Sequence, residues 1–422
     1  MHHFSYRNGE LFAEDVALRR IAEAAGTPVY VYSAATIRRH YQVFDAAFAG
    51  DAHLVCYAMK ANSNQAVLKL LAGLGAGMDI VSGGELARAK AAGVAGEKIV
   101  FSGVGKTDAE MRAALEHGIR CFNVESLPEL ERLSEVAEGM GLRAPVALRI
   151  NPDVDAKTHE KINTGRAADK FGIPWLKARE AYARADALPG IEVRGVAMHI
   201  GSQITVLEPF AKAFSLLAEL VRMLRADGHE ISHVDLGGGL GVPYHGDTDM
   251  PPHPDEYAAV VREALGHLGV EYIFEPGRMI VGNAGVLLGQ VVFVKETEGK
   301  TFCITDVGMN DLIRPTLYDA FHHILPVREP AADTPRLVMD VVGPVCETGD
   351  YVARERELPA MRRGDLFAVM TAGAYGAVLA NTYNTRPLVA EVLVDGDRFA
   401  VVRPRMEPAD IIALDAPAPW QE

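Results

Sequence analysis

A parallel (β/α)8 barrel of TIM type followed by a β-rich domain, an α/β class, is the fold this 422-residue sequence predicts. Three observations carry that expectation. Short apolar runs alternate eight times with amphipathic helical patterns between about residue 54 and residue 285. The runs are apolar almost throughout, as strands covered on both faces are. After about residue 286 the helical periodicity stops, and strand-like runs broken by Gly, Pro and Asp follow one another. A doubly wound open sheet shares the alternation and is the competing architecture.

In chain order the barrel runs are "LVCYAMK" from 54, "MDIVS" from 78, "IVFSG" from 99, "CFNVES" from 121, "VALRINP" from 146, "VRGVAMHIG" from 193, "HVDLGGG" from 233 and "YIFEPGR" from 272. Between them lie "GELARAKAAG", "DAEMRAALEHG", "LPELERLSEVAEGM", "PFAKAFSLLAELVRMLRADG" and "DEYAAVVREALGHLG", with apolar residues three and four apart and Gly near the C-terminus. The later runs, from "GVLLGQVVFVKETEG" to "PLVAEVLVDGDRFAVVR", read as a β-barrel-like domain. "TPVYVYS" (27–33) has no place to pair inside a closed eight-stranded barrel and is expected in that second sheet. The expected division is therefore a barrel over 36–285 and a discontinuous β domain from 1–35 and 286–422. Sequence leaves open whether the polar loop 151–174 covers the barrel mouth.

With 49% hydrophobic and 23% charged residues, the chain can build sizeable cores. Its net charge of -14, with both signs mixed along the chain, argues against nucleic acid or an anionic membrane as partner. A small-molecule site is the better expectation. Four cysteines (Cys56, Cys121, Cys303, Cys346) without CxxC or Cys/His spacing suggest neither a disulfide scaffold nor a metal site, and fit a reducing cytoplasm. No secretory signal pattern opens the chain, and no apolar run approaches the roughly 18 residues of a membrane span. His2 and His3 read as ordinary residues of a chain end.

In such barrels function gathers at the C-terminal ends of the strands. Those positions hold Lys60, Asp79, Ser102, Asn123 with Glu125, Arg149, His199 with Ser202, Gly237, Gly238 and Gly239, and Glu275 with Arg278. "DLGGGLG" (235–241) lets backbone approach an anion closely, though a tight turn without ligand uses glycines equally well. Its place after the seventh strand is where barrels often hold phosphate. "FEPGR" (274–278) offers either a Glu275 to Arg278 salt bridge or a carboxylate for the protonated nitrogen of a pyridine ring. His199 is either a core histidine or a flat partner for such a ring, with Ser202 beside a phosphate. Lys60, beside cations and partly desolvated, would then be the amine that forms a Schiff base with an aldehyde. Amine, phosphate cradle, ring partner and nitrogen-binding acid are together what pyridoxal 5'-phosphate needs.

"YAMKANSN", "HIGSQ", "DLGGGLG", "FEPGR", "MNDLIRPTLYDA", "GPVCETGD" and "AGAYG", in this order, resemble the diaminopimelate decarboxylases of the alanine-racemase-like, fold-type III group. The resemblance runs from "TPVYVYS" to "NTYNTRP", nearly the whole chain. It implies pyridoxal phosphate, a barrel with a β domain that includes the first strand, and a homodimer with active sites at the interface. It makes Lys60 the cofactor lysine, Glu275 the partner of the ring nitrogen and His199 the stacking residue. Ser202, Gly237, Gly238, Gly239, Gly277, Arg278 and Tyr375 become the phosphate surroundings, with Arg278 and Tyr375 also near substrate. Arg314 and Tyr318 resemble binders of the distal substrate carboxylate, where residue type alone would allow a salt-bridged loop arginine. Cys346 and Glu347 resemble a pair supplied across the dimer, as proton donor and binder of the distal ammonium, where a buried inert thiol is the plainer reading. Asp79, Glu85 and Arg149 fall among polar residues around the lysine without an assigned role. Cys56 and Cys121 belong to the core.

The reaction so implied is loss of carbon dioxide from meso-2,6-diaminopimelate to give L-lysine, the last step of lysine biosynthesis. The alternatives are decarboxylation of ornithine, arginine or carboxynorspermidine on the same fold, or a non-catalytic carrier of the cofactor. "RPTLY" and "CETGD" weigh against the first, and the long β domain with Cys346 against the second.

Overall fold

The computed structural model describes residues 2–156, 170–245 and 250–421. The middle of the 151–174 loop, residues 157–169, lies outside the described residues. Two compact units are present, one from residues 38–243 and 247–279, the other from 1–37, 244–246 and 280–422.

The first unit is a closed barrel of eight parallel strands: His53–Ala58, Gly77–Ile80, Ile99–Phe101, Cys121–Val124, Ala144–Asn151, Ile191–Ala197, His233–Asp235 and Glu271–Phe274. Each pairs with the next, and the last returns to the first through Tyr272, Ile273 and Phe274 against His53, Leu54 and Val55. All eight expected runs are strands. A two-residue strand, Ile173–Pro174, adds to the end of Ala144–Asn151.

The barrel interior is lined by small or slender side chains, with Cys56, Val100, Cys121, Ala147, Ala197 and Ile273 forming one buried cluster. Outside, Phe44, Phe48, Phe210, Phe214, Tyr257 and Phe274 pack ring on ring between helix and strand. Each such ring contributes about 1.5–3 kcal/mol by leaving water.

Three successive strand-to-helix turns share one local code. Ser82, Thr107 and Ser126 each accept, on the side-chain oxygen, the N–H of a glutamate three residues on, and so open the helices Gly83–Ala91, Asp108–Glu116 and Leu127–Gly139. Losing one such cap costs about 1 kcal/mol, so these turns hold the strand ends before them in fixed positions. Helices Glu208–Ala226 and Pro254–Leu265 follow the remaining helical patterns, while Gln65–Gly73 and Ala178–Asp186 complete the ring.

The second unit is a sheet in the strand order Tyr351–Pro359, Arg336–Val342, Lys300–Thr305, Gly285–Thr297, Val29–Ser33, Ala390–Asp395 and Arg398–Arg403. Leu366–Val369 pairs with Gly285–Thr297 and with Ile324–Pro326. As its sequence suggested, Val29–Ser33 joins this sheet, antiparallel to Gly285–Thr297 and parallel to Ala390–Asp395. Its five residues are all buried, so their apolar run has the two-sided cover it requires. A small antiparallel meander, Phe4–Arg7, Glu10–Ala13 and Val16–Ala17, packs its apolar residues into the same core. The N-terminal end is tied down as well: His3 Nδ1 lies 2.9 Å from Thr36 Oγ1.

Candidate active site

Lys60 sits on the 3-10 turn Met59–Ala61 that ends the first barrel strand. Its Nζ donates to Asp79 Oδ2 at 2.9 Å, from the end of the second strand. A buried carboxylate, one of the polar residues expected around the lysine, is thus a direct neighbour of Lys60. A carboxylate at this distance favours the ammonium and aims it. Asp79 Oδ1 is buried with no hydrogen-bond partner among the described residues.

Glu275 follows the eighth strand and is 8% exposed. Its Oε1 accepts Ser102 Oγ–H at 3.1 Å and Asn123 Nδ2–H at 3.1 Å. Burial first, then the negative charges of Asp235 and Asp79, push its carboxyl well above the usual range. Arg278, the other half of the suggested turn bridge, donates to Ser202 Oγ at 3.1 Å from Nη2. The two residues of "FEPGR" therefore serve different ends of the mouth.

His199 keeps some surface open, yet is packed deeply enough that desolvation, with the nearby Arg149 and Lys60 cations, holds its ring neutral. Its Nδ1 accepts the N–H of Gly238 at 3.2 Å. The glycine loop is shaped around this ring. A Cβ on Gly237, whose φ is +62°, would stand 2.6 Å from His199 Nδ1, and one on Gly238 would stand 2.3 Å from Glu275 O. One on Gly239 would meet Gly201 O at 2.7 Å. Gly237 N–H is used by Asp235 Oδ1 at 2.9 Å. The N–H groups of Gly239 and Gly277 have no acceptor among the described residues, which leaves two backbone donors near Ser202 and Arg278 for an anion.

Glu125 and Arg149 form a buried pair at 2.8 Å, and Glu125 Oε2 also accepts Gly172 N–H at 2.8 Å. Glu85 accepts Val81 N–H at 2.7 Å, and burial raises its carboxyl. These two acids pin loops at the mouth.

The second unit holds the other candidates. Arg314 opens the short helix Arg314–Tyr318 and is 5% exposed. Its Nη1 donates to Tyr244 Oη at 2.6 Å and to Ala374 O at 3.4 Å, which sets it next in chain to Tyr375. Tyr318 and Tyr375 are half-buried. Cys346 is exposed, unlike the three other cysteines, and its N–H donates to Asn384 Oδ1 at 3.2 Å. Glu347 is exposed beside it. Their turn is fastened by buried Asp350, which accepts the N–H groups of Met309 and Val345 at 2.6 and 2.5 Å. Thr316 Oγ1–H to Gly349 O, 2.5 Å, ties that turn to the arginine helix.

Two partners of the candidate residues escaped the sequence reading. Tyr244 carries no motif and is found only through Arg314. Asp235 lay within the quoted glycine motif, but nothing in the sequence marked its carboxylate as touching the acid of strand eight.

A cavity of about 460 Å3 opens at the opposite, N-terminal ends of the strands, with Arg120, Arg143, Arg194, Glu192 and His233 in its wall. Its guanidiniums are already engaged, by Glu271, by Ile191 O and by Glu192. The chemistry gathers at the other end.

Comparison with known proteins decides the family. The pyridoxal-binding domain of pyridoxal-dependent decarboxylases matches residues 34–282. The diaminopimelate decarboxylase of Vibrio cholerae is 51% identical over 421 residues, covering 99% of this chain and 100% of its own. That of Pseudomonas fluorescens is 54% identical over 417 residues, 99% of each chain. The chain belongs to the diaminopimelate decarboxylases. The crystal structure of the M. jannaschii diaminopimelate decarboxylase superposes with a TM-score of 0.94 at 39% identity, covering 99% of this chain and 98% of that one. A second M. jannaschii structure, in complex with L-lysine, has a TM-score of 0.94 at 38% identity and full coverage of both chains. A lysine/ornithine decarboxylase from Vibrio vulnificus, 24% identical with a TM-score of 0.78, shares the fold alone. Among the described residues no group of His, Cys, Asp and Glu could hold a metal ion, and no helix is long and apolar enough to cross a membrane.

Proposed function

We propose that this chain decarboxylates meso-2,6-diaminopimelate to L-lysine and carbon dioxide, the last step of lysine biosynthesis, with pyridoxal 5'-phosphate as cofactor. The observation that carries the reading is 51% identity to a diaminopimelate decarboxylase across 421 residues.

The residues of the barrel mouth fit the cofactor. An amine is steered by a buried carboxylate with a spare oxygen, burial raises the proton affinity of an acid, a neutral ring lies on a glycine bend, and two backbone N–H groups await an acceptor. Pyridoxal phosphate, when bound, supplies a covalent hold on an amine and a ring that takes up the electron pair left as carbon dioxide departs. Lys60 holds it, and Asp79 keeps that amine oriented. Glu275 would hold the ring nitrogen, and His199 would support the ring. Ser202, Arg278, Gly277 and the run Gly237, Gly238 and Gly239 cradle the phosphate, with Tyr375 adding its hydroxyl.

Arg314 and Tyr318 bind the distal carboxylate of the substrate, and Tyr244 fixes the guanidinium in place. A planar guanidinium suits a carboxylate, and ornithine has no such distal group. The exposure of Cys346 and Glu347 supports their being offered to the second subunit of a homodimer. There Cys346 delivers a proton from Sγ and Glu347 receives the distal ammonium. Four free cysteines support a reducing cytoplasm as the setting.

The test is purified protein with meso-diaminopimelate, with and without added pyridoxal phosphate, assayed for lysine and carbon dioxide. Turnover of ornithine, arginine or carboxynorspermidine in place of diaminopimelate would overturn the substrate assignment.

A further inference from the structure

Beneath Glu275 lies a second carboxyl group, that of Asp235, at the end of the seventh strand and 1% exposed. Asn123 Nδ2 bridges the two acids, donating to Asp235 Oδ2 at 2.8 Å and to Glu275 Oε1 at 3.1 Å. The other oxygen of Asp235 accepts Gly237 N–H at 2.9 Å, and Asn123 Nδ2, within hydrogen-bond reach of both acids, brings the two carboxyl groups together. Asn123 must turn its nitrogen towards them, since the reversed amide would set three oxygens together; its Oδ1 is left buried without a donor. Two carboxylates in one dry site cannot both ionise without a large cost, so the pair keeps one proton.

Which acid carries that proton follows from their surroundings. Asp235 accepts two N–H groups through opposite oxygens, which favours its ionised form. Glu275 accepts through Oε1 alone. Burial raises Asp235 only to about 6, while Glu275 goes well above the usual range. The other titratable groups facing the pair are Asp79 and Lys60 on the neighbouring strand ends, Cys56 and Cys121 in the barrel core, Tyr257 on the covering helix, and His199 just after the sixth strand.

We propose that Asp235 is a positioning residue: held ionised by Gly237 N–H and Asn123 Nδ2–H, it keeps a single proton on Glu275 and thereby on the Glu275 and ring-nitrogen couple when the cofactor is bound. The same carboxylate anchors the first glycine of the phosphate loop, so one side chain sets both the ring's protonation and the loop's position. The second arm of the test below rests on pyridoxal phosphate occupying this mouth; the first does not.

In the apoprotein, the infrared carbonyl stretch of a protonated carboxyl is followed against pH. Wild type should show one such group persisting above neutral pH, absent in Glu275→Gln. Asp235→Asn should lower its titration midpoint by about one to three pH units, tenfold to a thousandfold in proton affinity. Asn123→Ala, which removes the bridge and keeps the charge, should move it far less. In the holoenzyme, the pH midpoint of the cofactor absorbance should fall in the same order, and Asp235→Asn should lower kcat more than it raises KM. Equal midpoints in wild type and Asp235→Asn would overturn the proposal. Should Asp235→Asn not fold, the wild-type spectrum decides: two ionised carboxylates at neutral pH would overturn it equally. A shift in the apoprotein without one in the holoenzyme would place the fault in the cofactor reading, and would overturn the part concerning the ring.

Discussion

Lys60 Nζ and Asp79 Oδ2 stand 2.9 Å apart, the lysine partly open to the barrel mouth and the aspartate closed off completely. A buried anion under a half-exposed amine works as a steering group, because the charge fixes a direction for the amine to lean. Asp79→Asn should lower kcat/KM on the order of a hundredfold through loss of that orientation. Steady-state kinetics beside a cofactor-binding titration check this, and kinetics within about a factor of two of wild type would show the pair to be incidental.

The bond from Arg314 to Tyr244 makes a graded prediction. Arg314→Ala should abolish most diaminopimelate turnover while leaving cofactor absorbance intact. Tyr244→Phe removes one hydrogen bond to a charged group, about 1.5–3 kcal/mol, and should raise KM about tenfold to a hundredfold. An unchanged KM in both variants would remove Arg314 from the substrate site.

Complementation tests the shared-site dimer. Lys60→Ala and Cys346→Ala should each be inactive alone, since one lacks the proposed cofactor amine and the other the proposed proton donor. If Cys346 acts across an interface, mixing the two under conditions that exchange subunits restores activity, because a hybrid dimer carries one intact site. Two inactive proteins that stay inactive after verified exchange would count against a shared site.

His233 lies 3% exposed against the backbone of Gly195, where a Cβ would stand 2.4 Å from its Nε2. Burial, with the Arg120 and Arg194 charges, pushes its ring down from 6.5 to about 3. The unfolded chain takes up that proton first as pH falls. The neutral ring therefore contributes its full stability above 6.5, and that contribution is lost as pH falls from 6.5 towards about 3. The slope is about 1.4 kcal/mol per pH unit. His233→Gln should flatten the acid side of the stability curve by that amount, as chemical denaturation at a series of pH values would report. Parallel curves would assign the acid sensitivity elsewhere.

Much of this architecture is legible in the sequence because it is periodic. Eight apolar runs and their capped helices announce a barrel, and the barrel says where Lys60, His199 and Glu275 must stand. What escapes is whatever depends on distance between strands far apart in sequence. "FEPGR" alone reads as a turn salt bridge, yet its two charges take separate partners, Ser102 and Asn123 for one, Ser202 for the other. Asp79 was legible as a polar residue around Lys60, but its direct bond to the amine was not, since strand order sets that neighbour. The glycines of "DLGGGLG" were legible as a close approach; that the approach is first to His199 and Glu275 of the same chain was not.

Val29–Ser33, made early, is held between two strands made late, one of them Ala390–Asp395. On the ribosome this largely apolar segment must wait, unclaimed, while more than three hundred residues emerge. Its eventual capture ties the start of translation to its end. A truncated product stopping short of residue 390 would expose a bare hydrophobic edge, and quality-control proteases have an easy means of telling finished molecules from abandoned ones.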